Sequence, residues 1–204
     1  ITSDVGQLAI DFLADRDGDQ LGGIDIQARI DTAGGNATLV ANGDLNGATP
    51  GGNGVILQGN GEINVGAGSL VVQSPGGPVT LTGFSSPRLA GVNQITVETD
   101  AIDLQANGRI GRPIGGNNAP NVTIRPASDA VSIAIGGADV DNTTLGLTAV
   151  ELQQIEANTL TIGRATSAAI TDFSAPIDST DIDAARVVLV GDTVRIDQTF
   201  DLSV

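Results

Sequence analysis

The sequence contains no cysteine, methionine, tryptophan, tyrosine or histidine, and its nine basic residues are all arginine because lysine is absent as well. These absences exclude catalysis by cysteine, histidine, lysine or tyrosine side chains. They also exclude zinc sites built on histidine or cysteine. We therefore expect a protein that is not an enzyme. The missing cysteine suits a chain that crosses membranes unfolded without forming disulfides.

Basic residues are also few, and the formal net charge is −15. So acidic a chain is a poor partner for nucleic acid, whose phosphates require neutralisation, and for an anionic membrane surface. No apolar run approaches about 20 residues, so we expect no membrane insertion. No linker or change of composition divides residues 1–204, which we expect to form a single domain. Because the chain starts at Ile1 rather than at Met, we expect a fragment or processed piece of a longer chain.

What the chain has instead is glycine, 28 residues in all, between short aliphatic runs. In residues 54–84, Ile56, Ile63 and Leu70 recur at a spacing of seven. That period is typical of a coiled coil, but each intervening glycine would weaken a helix by about 1 kcal/mol. The stretch therefore predicts short strands joined by tight turns, with alternate side chains on one face.

Three such strand-and-turn units make a coil of about 20 to 25 residues, which is the repeat size of a stacked solenoid. We therefore predict an all-β fold, a parallel β-helix (β-solenoid) that includes the whole chain. Asn-Gly dipeptides, as at Asn60 and Asn107, would form the corners of the coils. A meander of antiparallel hairpins uses the same dipeptides and remains the alternative.

Alternating apolar and polar residues predict the positions of individual strands. The alternation over residues 24–30 predicts one half-buried strand, with its isoleucines and Ala28 on the buried face. Residues 37–41 and 121–125 are predicted as further strands, and residues 94–106 as two more.

One short helix is expected near residues 148–157. Thr148 and Glu151 have the spacing of a capping box, in which each side chain accepts a hydrogen bond from the backbone N–H of the other residue. Leu152 and Ile155 would lie on the buried side of this helix.

Alternating aspartates make a candidate calcium site of Asp15, Asp17, Asp19 and Asp25. The pattern departs from an EF-hand, because no glycine occupies the sixth position from Asp15 and no glutamate the twelfth. The alternative, which the brevity of the motif favours, is a solvated acidic turn.

Other carboxylates cluster at three places: Glu98, Asp100 and Asp103; Asp139 and Asp141; Asp178, Asp181 and Asp183. Asp181 and Asp183 are predicted to alternate on one strand and share a face, whereas Asp100 and Asp103 straddle a turn. Two carboxylates facing one groove would support acid–base cleavage of a polysaccharide. We favour a solvated outer face instead, because enzyme sites need a shaped pocket and partners that tune the pKa values.

Two segments resemble a known family. Residues 144–163, TLGLTAVELQQIEANTLTIG, and residues 108–115, GRIGRPIG, are similar to recurrent segments of filamentous-haemagglutinin-like adhesins, which are giant bacterial exoproteins. The resemblance implies a right-handed parallel β-helix, export to the bacterial cell surface and a structural or adhesive role. It brings no catalytic residues.

These observations together predict a structural component of an extracellular bacterial fibre, sheath or adhesin shaft that associates end to end with itself. The first alternative is a polysaccharide lyase or hydrolase on a β-helix, and the second is a glycan-binding module without catalysis. Surface glycans are the other expected partner, and calcium is the one candidate cofactor.

Overall fold

The computed structural model describes residues 1–2, 6–14, 22–41, 54–105, 107–138, 143–165 and 170–201. The described chain is nearly all β, with one short helix. The first strands are β1 Ile10–Ala14, β2 Ile24–Ile26, β3 Arg29–Asp31, β4 Ala37–Ala41, β5 Val55–Gln58, β6 Glu62–Asn64, β7 Ser69–Ser74, β8 Val79–Thr82, β9 Arg88–Ala90, β10 Gln94–Thr99, β11 Ile102–Leu104 and β12 Arg109–Gly111. They are followed by β13 Asn121–Arg125, β14 Ser132–Ile135, β15 Thr144–Leu147, α1 Ala149–Leu152, β16 Ala157–Gly163, β17 Ile170–Phe173, β18 Ile177–Asp178, β19 Ala184–Val190, β20 Thr193–Arg195 and β21 Phe200–Asp201.

Every third strand of the chain enters one seven-stranded sheet, which we call the central sheet. Its order is β1-β4-β7-β10-β13-β16-β19, and each neighbouring pair is parallel. Between neighbours the chain visits other sheets before it returns. The antiparallel meander is therefore wrong for the described strands, because a hairpin would pair consecutive strands in opposite directions.

The intervening strands form smaller parallel sheets. The second sheet has the order β11-β8-β5-β2 and the third sheet β12-β9-β6-β3. Towards the end of the chain a fourth sheet has the order β15-β14-β17-β20, and a fifth contains β18 and β21. We call one run of three strands through successive sheets, such as β4, β5 and β6, a passage.

The passages differ in length more than the predicted 20 to 25 residues. Hydrogen-bonded side chains of neighbouring passages are 23 residues apart at Thr82 and Gln105 and 25 apart at Gln73 and Glu98. Elsewhere the separation is 27, 33 or 37 residues. The paired strands keep a continuous register across these different separations.

One cluster of buried side chains contains residues of every sheet. In the central sheet Leu70, Ile95, Val122 and Leu160 lie directly beside one another in register and are fully buried. Fully burying an aliphatic side chain of this size stabilises a fold by roughly 1.5 to 3 kcal/mol. Columns of aliphatic side chains thus provide the main stabilisation of the described structure.

The predicted strand at residues 24–30 is two strands. β2 pairs with β5 and β3 pairs with β6, so the chain changes sheets between them and Ala28 is exposed rather than buried. The seven-residue spacing also mixes faces, since Ile56 is half-buried on the outer side while Ile63 is fully buried. The alternation of apolar and polar residues continues through the corner between β2 and β3, so the sequence pattern does not indicate where one strand ends and the next begins.

The helix is shorter than predicted. The capping box of Thr148 and Glu151 is present, and Leu152 and Ile155 are buried as expected. However, α1 ends at Leu152, and Ala157 already belongs to β16. The chain becomes extended because Ile155 forms a parallel bridge with Ile110, which replaces the next helical turn by a ladder contact.

Glycine lies at corners where successive passages touch. A Cβ added to Gly68 would lie 2.2 Å from the carbonyl oxygen of Gly35, its counterpart one passage earlier. No side chain fits at that distance, so the corner requires glycine for close approach of the two backbones.

We predict that Leu89→Ala lowers the free energy of unfolding by about 2 to 5 kcal/mol, because Leu89 is fully buried in the aliphatic core. The matched control Leu13→Ala removes a side chain that is 55% exposed and should change stability by less than about 0.5 kcal/mol. Guanidinium unfolding followed by circular dichroism measures both. Equal losses would contradict the described packing.

Candidate functional site

Three residues of the predicted calcium site, Asp15, Asp17 and Asp19, lie outside the described residues. Asp25 lies in β2, where its exposed carboxylate accepts hydrogen bonds from Gln27 and from Gln58 of the neighbouring strand. Within the described residues no group of three or more carboxylates is placed to hold a metal ion. Calcium binding by the four aspartates stays a prediction.

The cluster around Glu98 is divided among different partners. Glu98 lies on the outer face of the central sheet and accepts hydrogen bonds from the guanidinium of Arg125 at 2.7 and 3.1 Å. Asp100 is buried and accepts a hydrogen bond from the backbone N–H of Ser128 at 2.8 Å. As predicted, Asp100 and Asp103 do not face one groove. Asp139 and Asp141 lie outside the described residues.

The aspartates near residue 180 form a turn. Asp181 and Asp183 precede β19 and are not on a strand, so the predicted shared strand face is wrong. Hydrogen bonds from the hydroxyl and the backbone N–H of Thr180 hold the pKa of the exposed Asp178 carboxyl below its usual value. The Asp181 carboxylate accepts the backbone N–H of Asp178. These local bonds explain the acidic residues as turn formers.

The structure brings together the carboxylates of Asp103 and Glu151, which are far apart in the sequence. The second sheet ends at β11 and the fourth sheet begins at β15; these strands are in contact but are not paired. At this junction Glu151 of α1 accepts the backbone N–H of Leu104 at 3.2 Å, across 47 residues. Its other oxygen accepts from the backbone N–H and the hydroxyl of Thr148. Glu151 thus satisfies an N–H that a neighbouring strand would otherwise bind.

An open groove of about 390 Å³ runs along this junction. Asp103 and Glu151 line it together with apolar side chains, among them Ile102 and Val150. Burial raises the pKa of the Glu151 carboxyl, and the nearby Asp103 carboxylate raises it further, against the opposing effect of the hydrogen bonds from Thr148 and Leu104. The outcome is a pKa above the ordinary value for glutamate.

A glutamate with a raised pKa beside a second carboxylate is the arrangement from which enzymes make general acids. Here both oxygens of Glu151 already accept backbone hydrogen bonds. The arrangement is therefore suited to joining α1 to β11. Sequence analysis identified Asp103 as part of a carboxylate cluster and Glu151 as part of a capping box. Neither pattern indicated that the two carboxylates meet.

A second charged cluster includes Arg88, which lies in the third sheet. The buried Arg88 of β9 donates from Nη1 to Glu156 at 3.2 Å and to the carbonyl of Arg112 at 2.6 Å. Arg112 donates from Nε to the same oxygen of Glu156 at 3.1 Å. Glu156 therefore neutralises two arginines and connects β9 to the chain that follows α1.

Comparisons with protein-family models, with curated proteins and with solved structures found no match. No helix among the described residues is long and apolar enough to cross a membrane.

We predict that Asp103→Asn lowers the pKa of Glu151, because it removes a neighbouring negative charge that raises it. A group whose pKa is raised in the folded state stabilises the fold at pH values below its unfolded pKa. That contribution is lost as the pH rises through the folded pKa. Because Asp103→Asn lowers the folded pKa of Glu151, the contribution is smaller in the variant and is lost at a lower pH. Carbon-13 NMR titration of the Glu151 carboxyl measures the shift. Asp192→Asn, at an exposed bend, should leave it unchanged; an unaltered Glu151 pKa in Asp103→Asn would refute the coupling.

We predict that Glu156→Ala destabilises the fold by about 3 kcal/mol, because it leaves the guanidinium of Arg88, whose side chain is 10% exposed, without its carboxylate. The control Asp197→Ala breaks an ion pair with Arg195, which is 64% exposed, and should cost at most about 1 kcal/mol. Urea unfolding compares the two. A loss for Glu156→Ala no greater than for the control would show that the cluster adds no stability.

Proposed function

We propose that the protein is a non-enzymatic shaft segment of an extracellular bacterial fibre, sheath or adhesin. In this proposal the chain winds as a right-handed parallel β-helix in which each passage is one coil. The observation that supports it best is the strand order: in the central sheet each strand pairs, in parallel, with the strand three places later in the chain. A helical winding of three strands per coil produces that order directly.

The mechanical role follows from the ladder. Each passage contacts its neighbours through backbone hydrogen bonds and aliphatic columns, so both length and total stability grow as passages are added. In this proposal a connected stack of coils is long and narrow, and its mechanical role does not need a binding pocket. That description fits a spacer better than a catalyst.

The last described passage, β19 to β21, presents an unfilled apolar surface. Leu160 and Ile162 of β16 are buried, whereas Val187 and Leu189, their partners in β19, are only half-buried. Val194 of β20 is 41% exposed. A surface of parallel strand edges and inward-pointing aliphatic side chains fits a further coil of the same kind.

Charge regulates this association in the proposal. A net charge of −15 makes shafts repel one another, and salt screens that repulsion over a distance of about 8 to 10 Å. Divalent calcium would act on the same carboxylates by direct binding. Soluble individual shafts at low salt and association at higher salt follow from this balance.

The surface location rests on the resemblance of residues 144–163 and 108–115 to filamentous-haemagglutinin-like adhesins. The polysaccharide-cleaving alternative would use the groove at Asp103 and Glu151. It is less favoured because both oxygens of Glu151 accept hydrogen bonds from backbone or hydroxyl donors, which gives this carboxylate a structural role in joining α1 to β11.

The test is electron microscopy of the purified chain across salt concentrations, with calcium and with a chelator, together with fibre diffraction. We expect filaments that grow with salt and give a repeat of about 4.8 Å along the axis, the spacing of neighbouring strands. Discrete particles under all these conditions would refute the fibre.

The variant Val194→Asp places a charge on the apolar surface of the last described passage and should abolish the filaments. Ile114→Asp, at a loop position that is 69% exposed, serves as the matched control and should leave them intact. Filaments that persist in Val194→Asp would show that this surface is not the contact.

A further inference from the structure

A second groove, of about 570 Å³, crosses the central sheet at the amino-terminal ends of its strands. Val92 precedes β10, Asn118 precedes β13, Asn158 lies in β16 and Asp183 precedes β19. These four strands are consecutive neighbours in the sheet. At about 4.8 Å per strand the groove extends roughly 14 Å along the stacking direction. We call it the amide groove.

The polar side chains of the amide groove are available to a ligand. Asn117, Asn118, Asn158 and Asp183 are all exposed. Among the described residues, these four side chains make one hydrogen bond, which Asn158 Nδ2 donates to the side-chain Oδ1 of Asn121 at 3.5 Å. The amides each offer donors and an acceptor, and the carboxylate accepts from two directions.

The floor of the amide groove consists of small side chains, and the backbone N–H groups beneath it already donate hydrogen bonds. Ala119, Ala157 and Ala185 contribute only methyl groups, so a bulky ligand can approach the backbone. The backbone N–H groups beneath are used within the sheet: that of Asn158 bonds to Pro120, and that of Ala157 bonds to Asp183. Recognition must therefore come from the side chains and not from strand addition by a peptide.

The charges of the amide groove narrow the ligand class. Of the described residues that line it, Asp183 is the one with an ionisable side chain, so phosphate, sulfate and uronic acid groups would be repelled. One carboxylate is too few for a specific calcium site, which needs six to eight oxygen ligands. Neutral vicinal hydroxyl groups match amides and a carboxylate, since each hydroxyl both donates and accepts.

We propose that the amide groove binds a neutral oligosaccharide along the axis of strand stacking. Hydroxyl groups of successive sugar units meet the polar side chains at β13, β16 and β19, and the alanine methyls allow the rings to approach. This activity is independent of the shaft role, because it needs only neighbouring passages of one chain.

The test is isothermal titration and NMR chemical-shift mapping of the full chain with hexasaccharides of β-1,4-glucose, β-1,3-glucose, α-1,4-glucose and β-1,4-N-acetylglucosamine. Hexagalacturonate is the acidic comparison. We expect at least one neutral hexasaccharide to bind, with shifts at Asn118 and Asp183, and to bind at least tenfold more tightly than hexagalacturonate. Failure of all four neutral sugars, or tighter binding of the acidic one, would overturn the proposal.

Variants separate the groove from the rest of the surface. The pair Asn118→Ala with Asp183→Ala should weaken binding at least tenfold, whereas Asn60→Ala with Asp192→Ala, two exposed positions elsewhere, should not change it. Circular dichroism of both variants establishes that they fold alike. Unchanged affinity in the first variant would refute the site.

The outcome is distinguishable from that of the fibre test. Filaments without sugar binding would refute the amide groove alone, and sugar binding by discrete particles would refute the shaft alone.

Discussion

The parallel register of the central sheet is the constraint on which the rest of the structure depends. Once Leu70 lies beside Ile95 and Ile95 beside Val122, the neighbouring inward pair Val72 and Val97 is also in register. A slip of one residue would turn all these side chains to the outside. The register therefore decides the core, the outer face and the positions of the corners together.

The same constraint explains the small residues. Where one passage rests on another at a corner, the backbones approach more closely than any Cβ allows, as at Gly68 above Gly35. Aliphatic side chains of similar size fill the interior in columns. The larger Phe173 is buried where it meets Phe200, with ring centroids 4.9 Å apart, in the part of the chain where the fourth and fifth sheets replace the second and third.

Charged side chains act where the ladder is interrupted. Between β11 and β15 there is no strand pairing, and Glu151 accepts the N–H of Leu104 in its place. Glu156 similarly connects Arg88 of the third sheet to Arg112. Removing these groups from water has an energetic cost, which appears as the raised pKa of Glu151. Among the described residues, most other acidic side chains are exposed, where water solvates their charge.

Several local features could be predicted from the amino-acid sequence alone. The strands Ala37–Ala41 and Asn121–Arg125 and the capping box of Thr148 and Glu151 follow from residues within a few positions of one another. Tertiary structure decided the rest: the split of residues 24–30 into two sheets, the early end of α1, and the meeting of Glu151 with Leu104 and Asp103. These features depend on contacts between residues far apart in the chain, such as Ile24 with Val55, Ile110 with Ile155, and Leu104 with Glu151 across 47 residues. Neither hydrophobic alternation nor turn chemistry specifies which distant strand is the partner, because strands of similar composition offer equivalent backbone hydrogen bonds.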